Sequence, residues 1–362
     1  MEFKPDFDEM APRMEAWWRG ELLDRACISV GAPNGRRARE IAPPATLFER
    51  WTDFDYLLEA AEAQMESIYY GGEAIPVFRP SLGPDVFSAF LGSPLHFAET
   101  TSWAEPIISR WEQSPSFEID RESFAFKWHD EMYPRAAARA RGRYWLGGLD
   151  CHSGGEAVRA MRGSRAACLD LYDHPEAVRA AMGKLEQTIV AFHEAVFGWI
   201  EASGQPGHTN SFLSVWSPGR SNVVQLDLLA LISPAQFREF FYRELEVQCE
   251  YLDNALFHLD GPDALVHLPM VYDLLDCRRG GRSALRAIQW VPGEGNGPMT
   301  KWIPLLKQMQ SNGAGLVVHC GPNEVETMMA ELSSRGLFIS TGARSKEEAE
   351  ALVSLVGKLT HE

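Results

Sequence analysis

Short apolar runs and longer amphipathic segments take turns along the last two-thirds of the chain. The runs have the length of β-strands, and apolar positions in the segments between them recur every three to four residues, as in α-helices. Alternation of this kind is typical of parallel strands joined by crossover helices, so the pattern predicts an α/β fold. The six predicted strands of this part are 143–150, 209–219, 255–261, 287–293, 315–321 and 336–342.

Helix boundaries carry signals of their own. The longest predicted helix covers residues 173–204. Ser233 with Gln236, and Ser345 with Glu348, have the spacing of a capping box, in which each side chain bonds the other residue's backbone N–H group. These pairs predict that two further helices begin just after Ser233 and Ser345.

The first part of the chain, residues 1–140, reads as irregular. It is rich in proline, glycine and aromatic residues, which predicts long ordered loops and short helices that cover the mouth of the domain. Weaker strand signals at 25–30 and 74–79 would bring the strand count to eight. Together with the regular units of 141–362 they predict one domain over residues 1–362, a (β/α)8 TIM barrel. An open doubly wound sheet is the alternative, but no glycine-rich GxGxxG turn supports it.

Composition narrows the function classes. The chain has 362 residues, a net charge of -16 and no basic stripe, so we expect no nucleic-acid partner. The first twenty residues lack a basic region followed by an apolar one, and no apolar run has the length of a membrane span, so we expect a soluble, cytoplasmic protein. The scattered cysteines read as reduced thiols, because they show no Cys-x-x-Cys spacing. They are Cys27, Cys151, Cys168, Cys249, Cys277 and Cys320.

Polar residues gather where the predicted strands end, which is where barrel enzymes build their active sites. His258 and Asp260 are two positions apart on an extended segment, so their side chains point to the same side. Further candidates at strand ends are Asp150, His152, Trp216, Ser217, Gln289, Trp290, Glu294, His319, Cys320, Ser340 and Thr341. In the irregular part, Tyr70 and Glu73 are candidates to line the mouth.

Each candidate also has a purely structural interpretation. Asp260 precedes Gly261 and Pro262, so it could close a turn, and His258 could be a hydrogen-bonded core residue. His319 and Cys320 are adjacent on a strand, so only one of them can face the mouth. Cys320 could be a small buried apolar group, and the tryptophans could be core residues. Both interpretations stay open from the sequence alone.

Four separated motifs resemble the uroporphyrinogen decarboxylase-like superfamily, in the branch near corrinoid-dependent methyltransferases and cobalamin-independent methionine synthase. They occur in the expected order along nearly the whole chain. The motifs are "PSLGPDVFSAFLGSPL" (80–95), "VWSPGR" (215–220), "FHLDGPDAL" (257–265) and "AIQWVPG" (287–293). The resemblance implies a (β/α)8 barrel with its pocket at the carboxyl ends of the strands, and a homodimer.

The sequence departs from that superfamily at its metal ligands. The methyltransferases are expected to bind zinc through a His-x-Cys pair and a later cysteine on the final strand. Here His258 and Asp260 hold the place of the pair, and the final strand "GLFISTG" has no cysteine. A site of this kind, with His319 or Cys320 as further ligands, would be harder and richer in oxygen, and would suit other metals. The arginine-rich motif of the decarboxylases is also missing, with Arg79 as the single candidate to replace it.

The resemblance therefore predicts a corrinoid-linked methyltransferase that demethylates a small methylated compound. The expected cofactors are a divalent metal, with zinc as one candidate, and a corrinoid carried by a partner protein. Expected catalytic residues are His258, Asp260, Asp150 and Glu294; substrate-binding residues are Tyr70, Glu73, His152, Trp216, Gln289 and Trp290; metal ligands are His258, Asp260, His319 and Cys320.

Three other functions remain open at this point. The first is a cofactor-free decarboxylase, in which Asp260 or Asp150 stabilises positive charge on a ring. The second is a glycoside-processing barrel, which needs two carboxylates roughly 5 to 9.5 Å apart, here Asp260 with Glu294 or Asp150. The third is a non-catalytic ligand-binding barrel, which the replacement of the metal-binding cysteine by Asp260 favours.

Overall fold

The computed structural model describes residues 1–275, 278–279 and 282–361 of the chain. Its strands are β1 (Cys27–Pro33), β2 (Ile68–Gly72), β3 (Val77–Phe78), β4 (Leu95–Phe97), β5 (Ser102–Ala104), β6 (Trp145–Leu146), β7 (His208–Thr209), β8 (Trp216–Ser217), β9 (Ser221–Gln225), β10 (Asn254–Asp260), β11 (Arg278–Arg279), β12 (Arg282–Ser283), β13 (Leu285–Val291), β14 (Gly315–His319) and β15 (Leu337–Gly342). Cys277 lies outside the described residues; Cys27, Cys151, Cys168 and Cys320 are free thiols.

Fourteen α-helices occur in the described part of the chain. They are α1 (Phe7–Trp18), α2 (Leu47–Thr52), α3 (Phe54–Met65), α4 (Val86–Phe90), α5 (Phe124–Ala140), α6 (Gly154–Arg162), α7 (Ser164–Asp173), α8 (Pro175–Glu201), α9 (Pro234–Gln236), α10 (Tyr242–Tyr251), α11 (Leu268–Leu275), α12 (Ile303–Ser311), α13 (Val325–Glu331) and α14 (Lys346–Leu359). No helix in these ranges combines the length and the apolar character that crossing a lipid bilayer requires.

The central sheet confirms the predicted α/β fold. It has seven strands in the order β2-β1-β15-β14-β13-β10-β9, and every neighbouring pair is parallel except β1 with β2. The short strands β3 and β6 pair with each other in parallel as a separate unit. Within the described residues the hydrogen-bonded sheet therefore stays open between β9 and β2, and a closed barrel is not shown.

One predicted strand, 209–219, is wrong. Its ends form the short antiparallel pair β7–β8, and the strand that joins the sheet is β9. All five residues of β9 are buried, so it has no alternation of polar and apolar positions to reveal it. Pro218 and Gly219 separate β8 from β9, because proline cannot donate an N–H group to the hydrogen bonds between strands.

The first 140 residues hold more regular structure than their composition predicts. Helix α5 has 17 residues although Pro134 lies inside it, and it buries the aromatic side chains of Phe126, Trp128 and Tyr133. Helices α1 and α3 have 12 residues each. Tertiary burial of an amphipathic face stabilises such helices more than residue propensity does, which explains why their composition was misleading.

The predicted capping residues lie where expected. Ser233 and Gln236 form the full capping box before α9. At α14 the Ser345 side chain accepts the N–H of Glu348, but the Glu348 carboxylate accepts the backbone N–H of Arg344 at 2.7 Å rather than that of Ser345. The second prediction is thus half confirmed: the N-cap is present and the reciprocal bond is shifted by one residue.

A hydrophobic cluster packs α1 against the amino-terminal halves of the strands. It includes Trp17, Trp18, Trp145, Trp216 and Phe338. The indole Nε1 of Trp18 donates to the backbone oxygen of Trp216 at 2.8 Å. This end of the sheet is therefore filled with aromatic side chains, which leaves the opposite, carboxyl end for polar residues.

Candidate functional site

Three ionisable side chains converge at the carboxyl ends of β9 and β10. They are Asp227, His258 and Asp260, and one ligand atom from each lies within 4.8 Å of the other two. No other trio of His, Cys, Asp or Glu in the described ranges meets this distance. The predicted convergence of His258 with Asp260 is thus present, and Asp227 joins them.

Local structure explains the positions of these three groups. His258 and Asp260 lie on β10 with Leu259 between them, and Leu259 is fully buried on the other side of the strand. Asp227 follows β9 by two residues and begins a 3-10 turn that ends at Leu231. Because β9 and β10 are adjacent and parallel, residues that end both strands meet at one edge.

Two glutamines flank His258 at the same level of the sheet. Gln225 on β9 and Gln289 on β13 are its register partners on either side. The Nδ1 atom of His258 lies 2.6 Å from Oε1 of Gln289. Since a carbonyl oxygen accepts only, Nδ1 donates in this bond, and Nε2 is left for a ligand.

The electrostatics of the trio suit a cation. Atom Oδ1 of Asp227 is buried and has no hydrogen-bond partner. Burial raises the pKa of Asp260, the charge of Asp227 raises it further, and His258 opposes both. Two carboxylates and one imidazole are a donor set for a divalent metal, and an unpartnered buried carboxylate oxygen is a costly feature without one. The residues therefore fit a divalent metal and not a thiolate-rich zinc site.

Asp150 and His152 lie within electrostatic range of the trio. The amide Nε2 of Gln225 donates to Oδ1 of Asp150 at 2.6 Å, and burial raises the pKa of Asp150. Burial lowers the pKa of His152, but the bond to Asp85 at 3.3 Å and the charges of Asp150, Glu156 and Asp227 together raise it to about 9. His152 is therefore a protonated, positively charged group at neutral pH.

Two cavities are lined by residues that contact His258. The smaller, about 230 Å³, is lined by Asp150 and by Phe212, whose ring packs edge-on against the His258 ring with centroids 5.3 Å apart. The larger, about 1060 Å³, opens at the carboxyl ends of β13, β14 and β15 and includes Gln289, the partner of His258. Each cavity is thus linked to the trio through a residue that contacts His258: Phe212 for the small pocket and Gln289 for the wide cleft.

His319 and Cys320 line the wide cleft and do not belong to the trio. His319 is exposed, and its Nδ1 lies 3.5 Å from the hydroxyl of Ser340. Cys320 is buried, and burial followed by the charge of Glu324 raises its pKa to about 12. Neither residue has a ligand atom within 4.8 Å of those of Asp227, His258 and Asp260. The structure thus gives no support to these two as ligands with His258.

Glu73 and Tyr70 are not near His258. Glu73 is 1% exposed, and its carboxylate is bound by Arg13, Arg25 and the backbone N–H of Ile28. Tyr70 lies on β2, the first strand of the sheet order, whereas β10 is the sixth. The prediction that Glu73 lines the mouth is wrong, because its carboxylate is bound at the start of β1, the end opposite the trio. For Tyr70 it stays a prediction.

Three other predicted site residues have different locations. Trp216 is buried in the aromatic cluster at the amino-terminal end, so its assignment to the site is wrong, because β8 is not a strand of the main sheet. Trp290 lines the wide cleft with its ring against Trp302, at a centroid distance of 5.0 Å. Glu294 is exposed in the loop after β13.

Sequence reasoning missed Asp227 and Gln225. Both belong to the segment "SNVVQLD" (221–227), a buried run followed by a carboxylate. The run has the length of a strand, and the polar residues at its end repeat the pattern of "FHLD". The prediction of a strand at 209–219 excluded one that ends at Gln225.

Comparisons with known proteins support the fold. No protein-family model matches the chain, and no curated protein matches its sequence. Among solved structures, a methyltransferase from Methanosarcina mazei superposes with a TM-score of 0.60 at 14% identity, covering 96% of this chain and 97% of that one. The chain is therefore similar in its whole fold to a methyltransferase.

Proposed function

We propose that this protein is a metal-dependent methyltransferase that demethylates a small compound, with a corrinoid on a partner protein as the methyl acceptor. The observation that carries the proposal is the trio of Asp227, His258 and Asp260 at the carboxyl edge of the sheet. The overall similarity to a methyltransferase fold supports it. The resemblance to the uroporphyrinogen decarboxylase-like superfamily supplies the corrinoid and the homodimer as parts of the same proposal. The cytoplasmic location, which rests on the scattered cysteines, is a further part of it.

We further propose that the strands form a (β/α)8 barrel. The pair β3–β6 would occupy the opening between β2 and β9. Support comes from backbone contacts beyond the regular ladder: Gly147 N–H donates to Phe78 O at 2.8 Å, and Gly148 N–H donates to Thr209 O at 3.3 Å. The amide of Asn222 on β9 also donates to Leu149 O at 3.2 Å.

The trio would hold the metal through Nε2 of His258 and the carboxylates of Asp227 and Asp260. A divalent cation there supplies Lewis acidity for the heteroatom that loses its methyl group, which keeps the electron pair of the broken bond. Gln289 fixes the ring orientation and tautomer of His258 through the 2.6 Å bond. Gln225 holds Asp150 in the neighbouring pocket, and the positive charge of His152 offsets the surrounding carboxylates.

The wide cleft suits a second, larger reactant. Its volume of about 1060 Å³ reaches the upper end of the roughly 300–1,000 Å³ range of small-molecule pockets. Apolar side chains such as Trp290, Met299 and Leu352 line it, and one exposed imidazole, His319, faces it. When present, a corrinoid supplies the electron pair that forms the new bond to the methyl carbon. The cleft would let a partner protein bring such a flat group to the edge of the trio.

Elemental analysis of the purified protein tests the metal. We expect a divalent metal near one equivalent in the wild type, and its loss in His258→Ala and Asp227→Asn. His319→Ala is the matched control, because this histidine also ends a strand but lies outside the trio. Retention of metal in His258→Ala, or no metal binding by the wild type after addition of Zn²⁺, Mn²⁺ or Co²⁺, would contradict the proposed site.

Methyl transfer itself is tested with reduced free cobalamin in place of the carrier protein. The protein is incubated with methyl ethers, thioethers and methylamines, and the absorption spectrum reports formation of methylcobalamin. We expect product with the wild type and with the exposed His361→Gln control, and none with His258→Ala. Metal binding without any methyl transfer across these classes would favour a different reaction at the same site.

A second candidate is a carboxy-lyase of the decarboxylase type. The side chain of Arg79 and the carboxyl group of Asp150 line the same small pocket, which favours a substrate with a carboxylate. Release of labelled carbon dioxide from a carboxylated substrate, without need for metal, would support this reaction over methyl transfer.

A further inference from the structure

Arg79 places a guanidinium without a salt-bridge partner among the described residues in the small pocket that Asp150 and Phe212 also line. It follows β3 directly, at the carboxyl end of that strand, and lines the small pocket. Its Nη2 donates to the hydroxyl of Ser214, while its Nε is buried and has no hydrogen-bond partner. Burial lowers the pKa of Arg79 to about 10, and Asp150 opposes this shift, so the group is still charged at neutral pH.

Other enclosed arginines of this protein are paired. Arg25 binds Glu73 at 2.8 Å and Arg162 binds Asp170 at 2.6 Å. Within the described residues, Arg79 has no carboxylate within 4.0 Å, including Asp150. A buried charge without a partner destabilises a fold, so such a group is retained at a cost that a bound ligand would offset.

The backbone opposite Arg79 is shaped around its side chain. A Cβ atom added at Gly147 would lie 2.6 Å from Cγ of Arg79 and 2.9 Å from Cγ1 of Val77. Glycine at this position therefore leaves the space in which the arginine stem runs into the pocket. Phe212 also lines the pocket, and its ring packs against that of His258.

We propose that Arg79 anchors the carboxylate of a small substrate whose other end reaches the Asp227–His258–Asp260 trio. The pocket volume of about 230 Å³ limits that substrate to a compact molecule, below the roughly 300–1,000 Å³ of drug-sized sites. Asp150 in the same pocket disfavours a doubly charged phosphate, and the planar guanidinium matches a carboxylate. Trp51 and Phe212 form the walls for the apolar part. The link to a methylated heteroatom rests on the proposed function; the carboxylate anchor does not.

Calorimetry with matched probe pairs tests the anchor on chelator-treated protein, so that the result is independent of metal. The probes are acetate, methoxyacetate and benzoate, each beside its neutral amide. We expect at least one carboxylate to bind the wild type about tenfold or more tightly than its amide, and Arg79→Met to abolish that preference. Arg37→Met is the control, because Arg37 is exposed and pairs with the exposed Glu40. Equal binding of acids and amides, or no binding of any acid, would overturn the anchor.

Stability of the ligand-free protein provides a second, ligand-independent measurement. An arginine that only supports the fold would leave Arg79→Met less stable, whereas an arginine kept for a ligand leaves its melting temperature unchanged or higher. A clear drop would count against the proposal. Metal content of the same samples reports on the trio separately, so failure of the anchor and failure of the metal site are distinguishable.

Discussion

The Nδ1 atom of His258 lies 2.6 Å from Oε1 of Gln289, and the two residues are register partners on adjacent parallel strands. A histidine held in this way has Nε2 left for a ligand, and a ring nitrogen of His258 lies within 4.8 Å of carboxylate oxygens of Asp227 and Asp260. Outer partners of this kind orient ligands and raise their basicity. The pair therefore connects the sheet register to the proposed metal chemistry.

Removal of the Gln289 amide is expected to weaken metal binding. Gln289→Leu frees the imidazole to rotate and to change tautomer, so we expect affinity to fall about 10- to 100-fold. Competition with a chromogenic chelator measures the affinity. Gln308→Leu, an exposed glutamine on α12, is the control and is expected to bind as the wild type does. Unchanged affinity in Gln289→Leu would show that this bond has no role in the site.

Neutralising Asp227 is expected to stabilise the metal-free protein while abolishing metal binding. Burial and then the charge of Asp227 raise the pKa of Asp260, with His258 opposing. A carboxyl group whose folded pKa is raised stabilises the fold at low pH and loses that contribution as the pH rises through its folded pKa. Asp227→Asn removes one cause of the raised pKa of Asp260. The free energy of unfolding should therefore fall less than in the wild type as the pH rises above about 4. Urea unfolding of chelator-treated protein at a series of pH values measures this free energy. Asp263→Asn, at an exposed position, is the control.

His152 is expected to make stability fall in the alkaline range. Its folded pKa is raised from 6.5 to about 9, so its contribution is complete below 6.5 and is lost as the pH rises through about 9. The full loss is about 3 kcal/mol at most. In His152→Gln the free energy of unfolding is expected to change less between pH 6.5 and about 9 than in the wild type. The exposed His361→Gln is expected to keep the wild-type pH dependence. A wild-type profile without such a slope would contradict the pairing with Asp85.

Enlarging Gly147 is expected to disturb Arg79. In Gly147→Ala the new methyl group meets Cγ of Arg79 at 2.6 Å and Cγ1 of Val77 at 2.9 Å, so we expect a loss of about 1–3 kcal/mol. Combining it with Arg79→Ala should recover part of the loss, because one of the two clashes is gone. A double-mutant cycle from urea unfolding measures the coupling, and strict additivity would contradict the contact.

Glu73 is expected to act on stability and not on the site. Glu73→Ala leaves Arg13 and Arg25 without their buried partner, so we expect a loss of about 3–5 kcal/mol. Metal equivalents bound per folded molecule should stay as in the wild type. Loss of metal from a folded Glu73→Ala protein would return this residue to the site.

The sequence by itself determined the α/β class, the position of most strands after residue 250 and the common side of His258 and Asp260. These follow from local rules: apolar periodicity, capping residues, and the two-residue repeat of a strand. Such rules act over a few residues, so they can be read from neighbouring letters.

Only the tertiary structure decided which strand lies beside β10 and which carboxylate completes the trio. The fully buried β9 has no alternation to separate it from 209–219, and its place in the sheet depends on pairing with β10. The same holds for Glu73, whose arginine partners lie 60 and 48 residues away. Contacts between distant segments depend on how the whole chain packs, and no local pattern reports them.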